Sequence, residues 1–128
     1  MFNLYKIVKN VLILFFISIS FVNISSGEES IIFTDKYVDF YGYSNNLKKG
    51  DIIKVFDLDG VLCGKFQVKD DGKYGLMHVY GDDLTSDDDE GPGAGDKLIF
   101  LLNDEDIKPK NTNEIIWTNN GDTIRIDL

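Results

Sequence analysis

Asp51–Tyr80 reads DIIKVFDLDGVLCGKFQVKDDGKYGLMHVY, and its punctuation decides the fold. Three runs rich in β-branched and aromatic residues, Asp51–Asp57, Val61–Lys69 and Lys73–Tyr80, are separated by Asp57-Leu58-Asp59-Gly60 and Asp70-Asp71-Gly72. Each separator puts Gly and Asp where a tight turn needs a positive φ, which is a hairpin signature. Within the middle run Phe66 and Val68 alternate with Lys65, Gln67 and Lys69, the period of two expected of a half-buried strand.

The same grammar extends in both directions. Upstream, Lys36–Tyr43 (KYVDFYGY) reads as a strand with aromatics on both faces. Downstream, Lys97–Asn103 (KLIFLLN) reads as a strand buried on both sides. Glu114–Thr118 (EIIWT) and Asp122–Leu128 (DTIRIDL) complete the set, joined by Asn119-Asn120-Gly121. Asp104–Asn113, polar and containing Pro109, reads as a connector. Gly50-Asp51, Gly95-Asp96 and Gly121-Asp122 each open a strand, but their unequal separation argues against a repeat architecture. No apolar set at i, i+3, i+4, i+7 supports a helix in this region. The spacing predicts an all-β fold, an antiparallel β-sandwich of about seven strands and immunoglobulin-like size.

Residues 1–27 are read apart from that fold. Lys6 and Lys9 precede the apolar run Val11–Val22 (VLILFFISISFV), and small, polar residues follow to Gly27. This is the order of a secretory signal peptide, with Ser25 at −3 and Gly27 at −1. As a helix the run would rise only about 18 Å, short of the ~30 Å hydrocarbon layer. An uncleaved anchor recruiting Tyr5, Ile7 and Val8 is the alternative. The expected layout is a signal peptide over 1–27 and a single domain over 28–128, secreted or at the cell surface (periplasmic or extracellular).

The 128 residues include 22 acids, 13 bases, one Cys and one His, for a net charge of −9. Both leader bases disappear on cleavage, so the mature charge is −11. Such a charge opposes nucleic acid and anionic membrane surfaces as partners. One Cys and one His exclude a His/Cys metal cluster and an intrachain disulfide. Cys63 is expected as a buried apolar side chain. His78, beside Met77 on an expected strand, fits packing or surface exposure better than catalysis.

Lys54–Cys63 (KVFDLDGVLC) resembles the first motif of the haloacid-dehalogenase phosphatases. The likeness would make Asp57 a nucleophile and Asp59 a general acid and base, with Mg²⁺ between them, and Gly81-Asp82-Asp83 mimics a later metal-binding motif of that family. That fold is a doubly wound parallel sheet whose crossovers need a dozen or more residues, usually helical. Two strands and a turn fill the interval here, so the motif is read as a hairpin turn. A second likeness runs from Tyr37 to Phe100. Gly50-Asp51, Asp57–Val68, Gly72–Gly75, Val79–Asp83, Asp89–Gly91 and Gly95-Asp96 follow one another in the order seen in β-sandwich domains, immunoglobulin-like or carboxypeptidase-regulatory-like, of secreted and cell-surface bacterial proteins. The resemblance implies a module without a catalytic role.

Gly81–Asp96 (GDDLTSDDDEGPGAGD) carries seven carboxylates and no Lys or Arg. Like charges this close repel unless screened, and Gly91-Pro92-Gly93-Ala94-Gly95 lets the backbone bend so that oxygens converge. Hard oxygens without His or Cys suit calcium. Asp82, Asp87, Asp89 and Asp96, non-adjacent acids flanking the glycines, are the expected ligands. Asp57 and Asp59 would join them only if both loops share one end of the fold. The alternative is a solvated acidic loop. Trp117 with Tyr37, Tyr41 and Tyr43 could instead form a carbohydrate-stacking platform. The resulting expectation is a non-catalytic protein with a structural, adhesive or binding role. Its partner would be a cell-surface or matrix protein or a polysaccharide, or further copies of itself paired through edge strands.

Overall fold

Alternation along most of the longer strands decides which side chains reach the core. Val38 and Phe40, Ile53 and Val55, Met77 and Val79, and Leu98 and Phe100 are all buried at period two. The computed structural model describes residues 30–128, so the signal peptide expected over 1–27 lies outside the described residues. The strands are β1 (Tyr37–Tyr43), β2 (Ile52–Asp57), β3 (Leu62–Gln67), β4 (Lys73–Tyr80), β5 (Leu98–Leu102), β6 (Glu105–Ile107) and β7 (Thr123–Arg125).

All seven belong to one sheet, in the order β6-β5-β2-β3-β4-β1-β7. The all-β class is as expected; the two-sheet antiparallel sandwich is not what forms. Phe40 on β1 and Phe100 on β5 meet edge to face at 5.6 Å between centroids. Three strands lie between them, and in a flat sheet four strand spacings would hold them roughly 19 Å apart. The sheet is therefore rolled into a strongly curled half-barrel, and one inner face encloses the whole core. It is also mixed. β7 runs parallel to β1, because it arrives only after the chain has crossed from the β6 edge to the opposite edge of the sheet.

That crossing segment accounts for the other departures. β6 lies in what reads as a connector. Asn103 and Asp104, at φ 49° and 67°, make a tight turn that folds Glu105–Ile107 back on β5. Glu114–Thr118, read as the sixth strand, forms only the isolated bridge Lys97↔Ile116. It runs beside the start of β5, Leu98 N donating to Ile115 O at 2.8 Å, and drops Ile115 and Trp117 into the core. The two edges are tied together next to it: Lys110 N donates to Asp127 O at 2.7 Å and Asp127 N to Asn111 Oδ1 at 2.9 Å.

Trp117 is 4% exposed, and its indole N–H donates to Val79 O at 2.9 Å. It cannot serve as a stacking platform. Trp117→Ala is expected to cost about 3–5 kcal/mol, the range for emptying a large aromatic site. A urea unfolding curve checks this, and an unchanged midpoint would contradict the packing described.

Candidate metal centre

The site begins where β2 ends. The β2–β3 turn closes through Asp57 N to Val61 O at 3.1 Å and Gly60 N to Asp57 O at 3.2 Å. The Asp57 side chain folds over this turn, and its Oδ1 accepts from both Asp59 N and Val61 N at 2.9 Å. Asp57 is 4% exposed, and its second oxygen, Oδ2, is buried without a hydrogen-bond partner. A buried carboxylate oxygen with nothing to compensate it is unfavourable by several kcal/mol in general.

The acidic loop supplies the neighbours. Its path is fixed by local bonds: Asp82 N to Pro92 O at 2.9 Å, Glu90 N to Asp82 Oδ1 at 3.1 Å, and Gly93 N to Asp96 Oδ2 at 2.8 Å. Gly91 crosses over the end of β4 at φ 154°, where a Cβ would stand 2.7 Å from Tyr80 O. The loop thereby lies against the β2–β3 turn. One oxygen each from Asp57, Asp59 and Asp89 falls within 4.8 Å of the others. Among the described residues this is the one such group, and it could hold a metal ion. Beside it is a cleft of about 240 Å³ lined by Asp57, Leu58, Asp59, Asp96 and Lys97.

Charge repulsion marks the site. The Asp59 carboxyl is raised above its ordinary value by its hydrogen bond with Asp89, then by the charges of Asp57, Asp89 and Asp96. Lys97 is the cation in the cleft wall, but its ammonium is held by Glu114 at 2.8 Å. Cys63 adds no soft ligand: burial, then the Asp57 charge, pushes its thiol up to about 12, and its Sγ–H donates to Val55 O at 3.3 Å.

Of the four expected ligands, Asp89 is in the group and Asp96 lines the cleft. Asp82 lies outside the group and accepts from Glu90 N. Asp87 is exposed and also outside it. Asp57 and Asp59 do reach the loop, because both turns share one end of the sheet. A sequence signal existed for Asp57, which falls in phase with the inward-facing Ile53 and Val55. His78 is at the surface, paired with Asp39 and packed on the Tyr37 ring.

Comparison with protein-family models, curated proteins and solved structures finds no match. Among the described residues no helix is long and apolar enough to cross a membrane.

Folded Asp59 binds its proton more tightly than the unfolded chain does. Its contribution to stability therefore falls as pH rises from the ordinary aspartate value of 3.8 through the raised one. Asp51, Asp83 and Asp127 are held low, first by bonds to Lys48 N, Thr85 and Arg125 respectively, and act in the opposite sense. Asp59→Asn is expected to raise the unfolding midpoint in chelator at neutral pH, with the gain vanishing below the aspartate range. Thermal melts across pH check this, and a loss at neutral pH would contradict it.

Proposed function

We propose that the chain is a non-catalytic β domain working outside the cytoplasm, secreted or at a cell surface, in a structural, adhesive or binding role. In this reading Ca²⁺ fastens the Gly81–Asp96 loop to the Asp57–Gly60 turn. The observation that carries it is Asp57: a carboxylate 4% exposed, one oxygen without a partner, beside two further carboxylates. Three hard oxygen ligands with solvent access at Asp59 and Asp89 suit Ca²⁺, which takes six to eight oxygens in irregular geometry. Mg²⁺ demands a near-ideal octahedron and gives up its waters reluctantly. Extracellular calcium sites work at about 10⁻⁴–10⁻³ M, so a weak site fills in the compartment that the leader implies.

The same geometry favours a non-catalytic reading of the D-x-D-G motif. Asp57 Oδ1 is tied to two main-chain amides of its own turn, the bonding of a turn-closing carboxylate. The motif lies in an antiparallel hairpin, not at the end of a parallel strand. A carbohydrate module loses Trp117 to the core and keeps only the outward tyrosines, which makes it the weaker alternative.

The test is a thermal melt of protein expressed with its leader, in millimolar Ca²⁺ and again in chelator. A site of about 10⁻⁴ M affinity gains roughly 1.4 kcal/mol at ~1 mM ion, or about 5–10 °C for a domain of this size. Asp57→Asn keeps an Oδ1 acceptor for the turn and is expected to abolish the calcium response. Equal melting temperatures with and without calcium would overturn the metal reading.

A further inference from the structure

The sheet gives the molecule two unlike ends. The β2–β3 turn and the Gly81–Asp96 loop lie at one. At the other, the segments around Leu47–Gly50 and Val68–Gly72 are stitched together by Gly50 N to Val68 O at 2.8 Å and Gly72 N to Leu47 O at 2.9 Å. This second end carries a groove of about 420 Å³, lined in part by Tyr41, Tyr43, Phe66, Lys69, Lys73 and Leu76. Its origin is a splayed seam. β3 and β4 pinch at Gly64, where a Cβ would stand 2.9 Å from Val79 Cγ2, and Gly64↔Val79 is their one registered pair. Beyond it the strands part, and the groove opens between Phe66 and Leu76.

The groove is apolar with a basic rim. Tyr43 is 50% and Leu76 58% exposed. The Lys69 ammonium lies 5.9 Å from the Phe66 ring centroid. Lys73 approaches Asp70, also in the lining, at 3.9 Å, an exposed pair that is weak and open to exchange. The acidic end carries the complement. Leu84 is 82% exposed, and Asp82, Asp83, Asp87 and Asp88 surround it in a loop without one Lys or Arg. An exposed leucine held among carboxylates matches an apolar slot rimmed by lysines in both hydrophobicity and sign.

We propose that the occupant of the groove is a second copy of this chain. Leu84 of one copy enters between Tyr43, Phe66 and Leu76 of the next, and its flanking aspartates face Lys69 and Lys73. Edge-strand pairing is not the route, since β6 and β7 are three residues each and the segments beyond them are bonded to one another. The contact joins two different patches, so it is heterologous and repeats into open chains. It is smaller than a standard interface of about 1,600 Å², hence weak and reversible. The net charge of −9 opposes it at long range. At physiological salt that repulsion is screened beyond about 8 Å, while the local ion pairs persist.

Sedimentation velocity on the full protein tests this. The wild type is expected to show a rising weight-average sedimentation coefficient with concentration. Leu84→Asp disables the head, and the double variant Lys69→Glu, Lys73→Glu disables the groove. Each alone is expected to remain monomeric, and their mixture to form a 1:1 dimer and nothing larger, because only one head and one groove survive. All three positions are exposed, so urea midpoints should match the wild type; Leu84→Ser replaces Leu84→Asp if they do not. A wild type that stays monomeric at every concentration, variants that associate normally, or a mixture that stays monomeric would each overturn the proposal.

Discussion

One buried indole joins the core to the acidic end. Trp117 donates its N–H to β4 at Val79, while its main chain exchanges bonds with the far end of the acidic loop, Gly95 N to Trp117 O at 2.8 Å and Trp117 N to Asp96 O at 2.9 Å. The near end of that loop is gripped by the same ring: a Cβ on Gly81 would stand 2.4 Å from Trp117 Cζ2. Both ends of a segment with seven carboxylates are thus pinned to one residue, the far end by its main chain and the near end by its ring. Hydrophobic burial of this kind is worth a few kcal/mol. It sets the loop against the β2–β3 turn although the charges there push it away.

The outcome is local frustration in a fold that is otherwise consistent. Strand propensity and turn chemistry agree along β1 to β5, and burial alternates along β1, β2 and β5. The exception is the end of β2, where the inward-facing phase that buries Ile53 and Val55 also buries Asp57. Sequences keep such conflicts mostly where something other than folding needs them. At Asp57 the conflict is half relieved by two amides of its own turn and half left standing at Oδ2.

The sequence disclosed the strands well and their assembly poorly, for a definable reason. Alternation reports which side chains face inward, not how far the sheet curls; Phe40 and Phe100 meet only because three strands bend between them. Ile115 and Trp117 alternate like strand residues because they are buried, yet the segment makes a single bridge. β6 escaped because three polar-rich residues carry no period, although the Asn103-Asp104 pair was a turn signal in plain view. At the site, composition disclosed the acidic loop and turn chemistry disclosed Asp57 and Asp59. Their meeting depends on which turns share an end of the sheet, and that is a property of topology. Spacing within the loop does not say which of the oxygens of Asp82, Asp87, Asp89 and Asp96 converge.

The position of Lys97 bears on why such a site would exist. A lysine in the cleft wall could neutralise the carboxylates internally, and the fold would then be indifferent to its medium. The chain instead holds that ammonium on Glu114 at 2.8 Å. On the reading proposed above, the charge deficit is left for a diffusible cation, and the stability of the acidic end becomes a function of the ions outside the cell. That dependence would be a hazard where calcium is scarce and is harmless where it is abundant. It also fixes which parts of the loop stay available. Asp89 and Asp96 turn toward the β2–β3 turn, while Leu84, Asp87 and Asp88 stay in solvent. One loop can therefore face inward to an ion and outward to a neighbour without the two roles competing for the same oxygens.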